Sequence, residues 1–176
     1  MTLLARVHEE LDRRGIAHAL IGAAALAVRG IARSTLDLDL LTGAASCLEP
    51  ETWAALGVEG AGVDVRRGDA EDPLAGVIRL TQPPERPVDV VVAKLGWQRD
   101  IIAGGGSVLV LDADLPVATV PGLILLKLYA GGPQDLWDVE QLLGIDGSAA
   151  VAVSAEILKL PARARDLWAA VLARHA

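Results

Sequence analysis

Residues 34–41 alternate strictly between apolar and polar or acidic side chains, and this segment limits the fold more than any other part of the chain. Such alternation is typical of a β-strand, in which successive side chains point to opposite faces. One face carries the leucines Leu36, Leu38 and Leu40. The other face carries Asp37 and Asp39, whose Cα atoms would lie about 7 Å apart along the strand. The pattern therefore predicts a strand that presents two carboxylates side by side.

The composition indicates a folded domain with an aliphatic core. At 176 residues the chain has about the length of one domain, and such a chain buries roughly 70% of its unfolded surface. Hydrophobic residues make up 52% and charged residues 22%, which excludes a disordered chain. Because aromatic residues are only 3% and phenylalanine is absent, leucine, valine, isoleucine and alanine must fill the core.

Charge and cysteine content limit the partners and the compartment. The net charge of −7 argues against tight non-specific binding of DNA or RNA, which needs a basic surface. Cys47 is the only cysteine, so an intrachain disulfide and a cysteine-based zinc site are excluded, as expected for a reducing compartment. The longest uncharged stretch, residues 15–28, is shorter than the roughly 18 apolar residues of a membrane span. We therefore expect a cytoplasmic protein with no membrane partner.

The remaining pattern predicts an α/β protein with a helical end. Further strands are expected at residues 17–21, 63–67, 74–81, 87–95 and 108–111. Helices are expected at residues 3–14, 23–29, 49–56, 97–103, 121–130 and 133–143. Beyond Pro116 every element is predicted to be helical. The expected organisation is an α/β core over residues 1–115 and a helical part over residues 116–176, packed on the core as one unit.

Two further features add to the pair of aspartates. Asp89 lies within a run of valines, where it is either the exposed residue of a half-buried strand or a third ligand beside Asp37 and Asp39. Three such carboxylates can bridge two divalent cations, and Mg²⁺ is the cation expected first. Ordinary surface acids would give the same sequence pattern. The Gly22-Ala23 step after a strand could offer backbone N–H groups to a phosphate, or it could be only a tight turn.

Three blocks of the chain resemble a known superfamily. Residues 20–41 contain a strand, a glycine step, an alanine-rich helix and the sequence RSTLDLDLL, and residues 87–90 contain a later single aspartate. Residues 127–138 read KLYAGGPQDLWD. These blocks resemble the minimal nucleotidyltransferase superfamily, and within it the AbiEii-like toxins of bacterial abortive infection. The resemblance implies a mixed β-sheet with helices packed on it, and a metal-dependent transfer of a nucleotide from a nucleoside triphosphate.

The resemblance also implies roles for individual residues. Asp37 and Asp39 would hold Mg²⁺ or Mn²⁺, and Asp89 would hold the second ion and assist deprotonation of the attacking hydroxyl. Lys127 would counter the triphosphate charge, and it is implied to be catalytic together with the three aspartates. The nucleotide-binding residues implied are Gly22, Ala23, Arg33, Thr35, Lys127, Asp135 and Asp138. The acceptor would be a hydroxyl of tRNA, of another RNA or of a protein, and a cognate antitoxin is a possible partner.

Several of these residues have a structural alternative. Lys127 could extend to solvent from an amphipathic helix, and Arg33 could pair with a surface acid. Asp135 and Asp138 could simply favour the first turn of a helix that begins at Pro133. The three histidines show no metal-ligand spacing along the sequence.

A function of another class is also compatible with the sequence. Gly132 and Gln134 occupy the positions at which the family carries arginine and lysine. The loss of these cations favours a catalytically weak binding module, such as one component of a toxin–antitoxin pair or a regulatory protein, whereas the three aspartates favour the enzyme.

Overall fold

A computed structural model describes residues 1–175 of the chain, which form two compact units. The first, called here the sheet unit, comprises Met1–Ala25 and Arg33–Ala118. The second, called the helical unit, comprises Leu26–Ala32 and the chain from Thr119 onward. Among the described residues, no helix combines the length and the apolar character needed to cross a bilayer.

The sheet unit contains the strands β1 His18–Ile21, β2 Leu38–Thr42, β3 Gly62–Arg67, β4 Leu74–Thr81, β5 Val88–Ala93, β6 Gly106–Val110 and β7 Ala113–Val117. Its helices are α1 Leu3–Arg13, α3 Ala54–Val58 and α4 Gly96–Ala103, with 3₁₀ turns at Ala45–Leu48 and Pro50–Trp53. Helix α2, Gly22–Val28, is divided between the two units. The helical unit contains α5 Val120–Ala130, α6 Pro133–Ile145, α7 Ala149–Glu156 and α8 Ala162–His175, with a 3₁₀ turn at Ile157–Lys159.

The described strands form one mixed sheet in the order β3-β4-β5-β2-β1-β7-β6. Strand β2 runs parallel to β5 and antiparallel to β1, while β1 runs parallel to β7. The outer pairs β3–β4, β4–β5 and β6–β7 are antiparallel. The central strand β1 is buried throughout, and α4 packs against β1, β2 and β5. The predicted α/β class with a mixed sheet is confirmed.

The predicted change to helices beyond Pro116 is wrong at its boundary, because strand β7 was missed. Its alternating residues Ala113, Leu115 and Val117 are buried, but the aspartate and the proline between them hide the strand pattern. Glycine usually marks a tight turn between two strands, but the two-residue turn between β6 and β7 has none. Leu111 adopts the positive φ there, at 56°. The predicted helix at residues 49–56 is replaced by a 3₁₀ turn and the short helix α3.

The helical unit is organised around α5. The Thr119 hydroxyl caps this helix by accepting a hydrogen bond from the Gly122 amide at 3.2 Å. The helix ends at Gly131, whose φ of +66° is the left-handed conformation of a helix C-cap. Helix α5 then packs against α6, α7 and α8, which explains why it is apolar on most of its surface.

Candidate active site

Asp39 and Asp89 lie side by side in the sheet. They are paired in the register of the parallel strands β2 and β5, so they point to the same face with backbones about 4.8 Å apart. Val88 and Val90, on either side of Asp89, are fully buried and point to the other face. This register brings both aspartates to one face of the sheet, as a third ligand beside Asp37 and Asp39 would require.

The turn after β1 approaches the Asp39 carboxylate closely. Ile21 is paired with Asp39 in the antiparallel register of β1 and β2, and Gly22 follows it with a φ of +64°. A Cβ atom at this glycine would lie 2.0 Å from Oδ2 of Asp39, so no other residue fits without movement. The backbone at Gly22 therefore borders the carboxylate, and Ala23, the next residue of α2, is half-buried.

Asp37 lies just before β2 rather than within it. The strand begins at Leu38, whose amide donates to the Pro87 carbonyl at 3.0 Å, and Leu36 is 84% exposed, so its predicted place on the buried face is wrong. The physical reason is a local turn. The Thr35 hydroxyl lies 2.9 Å from the Asp37 carbonyl oxygen and 3.0 Å from its Oδ1, and such local side-chain bonds compete with strand pairing.

Arg79 links two of the carboxylates. It is paired with Asp89 across β4 and β5, and its Nη1 donates to Oδ2 of Asp89 at 2.8 Å. The same nitrogen lies 3.7 Å from Oδ2 of Asp37. Asp37 therefore contributes to the site from outside the strand. Arg79 was not among the residues predicted from the sequence. The alternation in β4 gives the face on which it lies, but its contact with Asp89 can be predicted only once β4 and β5 are known to be neighbours.

The pKa of Asp89 is raised above its ordinary value. Burial raises its pKa, the nearby Asp37 charge raises it further, and Arg79 and Arg66 oppose the rise without cancelling it. Its Oδ1 atom is buried and has no hydrogen-bond partner among residues 1–175. A buried carboxylate oxygen without a partner is costly unless a cation or water satisfies it. The cluster of Asp37, Asp39 and Asp89 therefore has the charge and the open oxygen of a cation-binding site.

Arg33 is half-buried in the segment that leads from α2 to Thr35. Arg33 comes just before the turn in which the Thr35 hydroxyl bonds to Asp37, so it lies four residues from the first aspartate of the cluster. Its contact with a phosphate remains a prediction, as do the phosphate contacts of Gly22 and Ala23.

Lys127, Asp135 and Asp138 form a cluster within the helical unit. The Lys127 ammonium lies 2.9 Å from Asp135 and 2.8 Å from Asp138, and the Asp138 side chain is fully buried. Asp135 also accepts from the Gly132 amide at 3.1 Å and so caps α6. Burial alone would lower the pKa of Lys127, but the two carboxylates together raise it. The pairing is enough to explain all three residues structurally, and their roles toward a nucleotide remain predictions.

The structure brings two of the histidines together with an aspartate, although their spacing along the sequence is not that of metal ligands. His8, Asp12 and His18 each offer a ligand atom, and these atoms lie within 4.8 Å of one another. His8 and Asp12 are four residues apart on α1, but His18 comes from β1, so the cluster exists only after the chain turns at Gly15. The spacing of His8 and Asp12 on one helix face is the signal that could have indicated it.

No family model matches the chain, and no curated protein matches it. Solved structures do match. The solution structure of the antibiotic-resistance factor ANT(2'')-Ia aligns with 98% of this chain and 91% of its own, at 16% identity and a TM-score of 0.53. The chain has a nucleotidyltransferase-like fold.

Two further structures support this fold assignment. An antigenic nucleotidyltransferase-like protein from Paracoccidioides brasiliensis covers 94% of this chain and 90% of its own, at 14% identity and a TM-score of 0.55. The lincosamide antibiotic adenylyltransferase LnuA, in its lincomycin-bound form, covers 81% of this chain and 95% of its own, at 15% identity and a TM-score of 0.50. The similarity therefore extends over most of each chain.

Proposed function

We propose that the chain is a metal-dependent nucleotidyltransferase that moves a nucleotide from a nucleoside triphosphate to a hydroxyl of an RNA or a protein. The observation that carries this proposal is the in-register pair of Asp39 and Asp89. Asp37 lies nearby, because the Arg79 guanidinium contacts both Asp89 and Asp37. The nucleotidyltransferase-like fold supports it, because that fold is found in ANT(2'')-Ia, which has been solved in complex with adenylyl-2''-tobramycin.

The residues of the carboxylate cluster fit divalent cations of the Mg²⁺ or Mn²⁺ type. These cations take carboxylate oxygens as ligands, and the buried Oδ1 atom of Asp89 lacks a partner in the described chain. Asp37 and Asp39 would hold one ion, and Asp89 would complete the site for a second. Bound there, the ions would neutralise charge on the α-phosphate under attack and on the pyrophosphate that leaves, and they would lower the pKa of the attacking hydroxyl.

The protein's own groups then have separate tasks. Arg79 holds Oδ2 of Asp89 and so directs Oδ1 of the same carboxylate to the reaction centre. Asp89 would hold the second ion and assist deprotonation of the attacking hydroxyl. Backbone amides at Gly22 and Ala23, next to Asp39, would orient the phosphates for in-line attack.

The remaining predicted residues would contact the nucleotide itself. Arg33 and Thr35 lie in the segment before Asp37 and would bind phosphate oxygens by a cation and a hydroxyl. Lys127 would counter the triphosphate charge, held in position by Asp135 and Asp138.

The decisive experiment measures transfer of label from each α-labelled nucleoside triphosphate in the presence of Mg²⁺ or Mn²⁺. Total RNA, total protein and an aminoglycoside serve as separate acceptors. We expect wild type to label RNA or protein, and Asp39→Asn and Asp89→Asn to label at least about 100-fold less, as loss of an essential charged group does. Asp114→Asn makes the same chemical change at an exposed position of β7 and should retain wild-type transfer. Equal transfer by wild type and the Asp39 variant would refute the proposal.

A second candidate function is a catalytically weak binding module, acting as the toxin-like component of an AbiEii-type toxin–antitoxin pair. The pairing of Lys127 with Asp135 and Asp138 favours it, because the lysine charge is already compensated inside the helical unit. This candidate predicts that a nucleoside triphosphate raises the melting temperature of the protein in Mg²⁺ without any transfer of label. Co-purification with the product of a neighbouring gene would identify the antitoxin.

A further inference from the structure

A second group of ligating side chains lies in the sheet unit, at the other end of β1 from the carboxylate cluster. It consists of His8 and Asp12 on α1 and of His18, the first residue of β1. Ile21, at the other end of β1, pairs with Asp39, so three residues of strand, or about 10 Å, separate His18 from that register position. The two groups are therefore distinct.

The hydrogen bonds of His18 define its free nitrogen. Its Nδ1 lies 2.9 Å from the Ile16 carbonyl oxygen, which can only accept, so Nδ1 carries the proton. Its Nε2 then has a free lone pair, and this atom lies 2.8 Å from Nδ1 of His8. A carbonyl that fixes one ring nitrogen so that the other can ligate is the usual support of a metal-binding histidine. His18 is 3% exposed, and burial lowers its pKa, which keeps the ring in the neutral form that metals bind.

We propose that His8, Asp12 and His18 bind one divalent transition-metal ion, Zn²⁺ in particular. Two imidazole nitrogens and one carboxylate oxygen form a donor set that suits Zn²⁺ and is poor for Mg²⁺, which prefers oxygen. The ion would replace the proton shared by the two histidine nitrogens. Since Zn–N bonds are about 2.0–2.1 Å, these nitrogens need to separate only to about 3.3 Å for a tetrahedral site.

Asp12 would supply the third ligand. Its carboxylate contacts the ring nitrogens that the ion would not use, at 3.5 Å from Nε2 of His8 and 4.0 Å from Nδ1 of His18, and its side chain is 62% exposed. It can therefore rotate toward the ion without disturbing the core, and the exposed side leaves room for a water as fourth ligand. The ion would connect the last turns of α1 to the start of β1 across the turn at Gly15.

The test titrates metal-free full-length protein with Zn²⁺ against a chromogenic chelator, and records the visible absorption of a Co²⁺-loaded sample. We expect about one equivalent of Zn²⁺ and a Co²⁺ spectrum of nitrogen ligation. His8→Gln and Asp12→Asn should each weaken Zn²⁺ binding by about tenfold or more, as loss of metal-site partners does. The matched controls His175→Gln and Glu9→Gln remove a histidine and an acid at other positions and should bind as wild type.

The outcome is interpretable even if one variant folds poorly. Asp12 is an exposed side chain, so Asp12→Asn should keep the circular dichroism and melting temperature of the metal-free wild type. Wild type that binds Zn²⁺ no more tightly than the His8 and Asp12 variants would overturn the proposal. So would a site that survives in both of these variants and is lost in Asp89→Asn, because the ion would then belong to the carboxylate cluster. The measurement does not depend on nucleotidyl transfer.

Discussion

Two clusters of aspartates, one in each unit, are built from similar groups but differ in how closely a cationic side chain is held to the carboxylates. In the helical unit, the Lys127 ammonium lies within 2.9 Å of both of its carboxylates. In the sheet unit, Arg79 reaches Asp89 at 2.8 Å but remains 3.7 Å from Asp37. Asp39, in register with Asp89, adds a third carboxylate there. The first cluster is an ion network around one lysine, whereas in the second the arginine lies closer to Asp89 than to Asp37, and Oδ1 of Asp89 has no hydrogen-bond partner among the described residues.

The pKa directions agree with this difference. Burial acts against the charge of Lys127, yet its two carboxylates overcome it and raise the pKa, so the charged form is favoured. Burial raises the pKa of Asp89, and Arg79 does not reverse it, so the charged form is disfavoured. We infer that the helical cluster stabilises the fold. In the sheet unit the charged form of Asp89 destabilises the metal-free fold, as the proposed cation site would require.

The largest expected effect is that of Lys127→Met on stability. Methionine keeps the length of the apolar stem but removes the charge beside the fully buried Asp138 carboxylate. Removing one partner of a buried ion pair costs about 3 kcal/mol. Urea unfolding monitored by circular dichroism should show a loss of this size in the free energy of unfolding.

A surface lysine provides the matched control for this comparison. Lys159 pairs with Glu156, and both side chains are nearly half exposed, so Lys159→Met should change stability by less than about 1 kcal/mol. Equal effects of the two variants would show that the Lys127 cluster is not a stabilising network.

The next largest effect is that of Arg79→Met on metal affinity. If Arg79 directs Oδ1 of Asp89, its loss should weaken Mn²⁺ binding by about tenfold, the usual effect of losing a residue that orients a ligand. Electron paramagnetic resonance of free Mn²⁺ measures this affinity directly. Arg79→Lys should recover part of it, and Arg67→Met, on exposed β3, should leave it unchanged. Tighter Mn²⁺ binding by Arg79→Met would mean that the arginine competes with the ion instead.

The elements that were predicted correctly are those whose signal is local. The alternation in β2, β4 and β5 depends only on each strand's own two faces, so period two was sufficient to find them. For Asp89 the sequence left two alternatives open, and only the register of β2 and β5 brings its side chain to the same face as Asp39, since a one-residue shift would turn it to the other face.

The features that were missed depend on which segments become neighbours. Arg79 matters only because β4 lies beside β5, and His18 meets His8 only because β1 follows α1 after a turn. The start of β2 was misplaced because the Thr35 hydroxyl bonds locally to Asp37, a contact that hydropathy does not record. The periodicity of a strand predicts which face of the sheet a residue lies on. It does not predict which residues of other strands lie beside it, because that depends on the strand order.

A smaller effect is expected for Asp37→Ala, which removes one acid from the cluster in the sheet unit. Asp37 is part-exposed, and its loss relieves repulsion with Asp89 while weakening a long contact with Arg79. Metal-free stability should change by less than about 1 kcal/mol, in contrast to Lys127→Met. The Mg²⁺-dependent rise in melting temperature caused by a nucleoside triphosphate should disappear in differential scanning fluorimetry. A loss of 2 kcal/mol or more without metal would make Asp37 a structural residue.

The smallest expected effect is the pH dependence that Asp89 gives to metal-free stability. Its pKa in the folded state is raised above the ordinary 3.8, so between 3.8 and the raised value the folded protein binds more protons than the unfolded chain. By linkage, stability falls as the pH rises through this window, and the unfavourable contribution of Asp89 is complete at neutral pH. Asparagine does not titrate, so wild type should gain stability relative to Asp89→Asn when the pH is lowered from 7 to 4. Urea unfolding of both proteins in EDTA at these two pH values measures the difference, with Asp114→Asn as the control. A relative loss of wild-type stability on acidification would mean that the charged form of Asp89 is favoured, and that the two clusters do not differ in the way proposed.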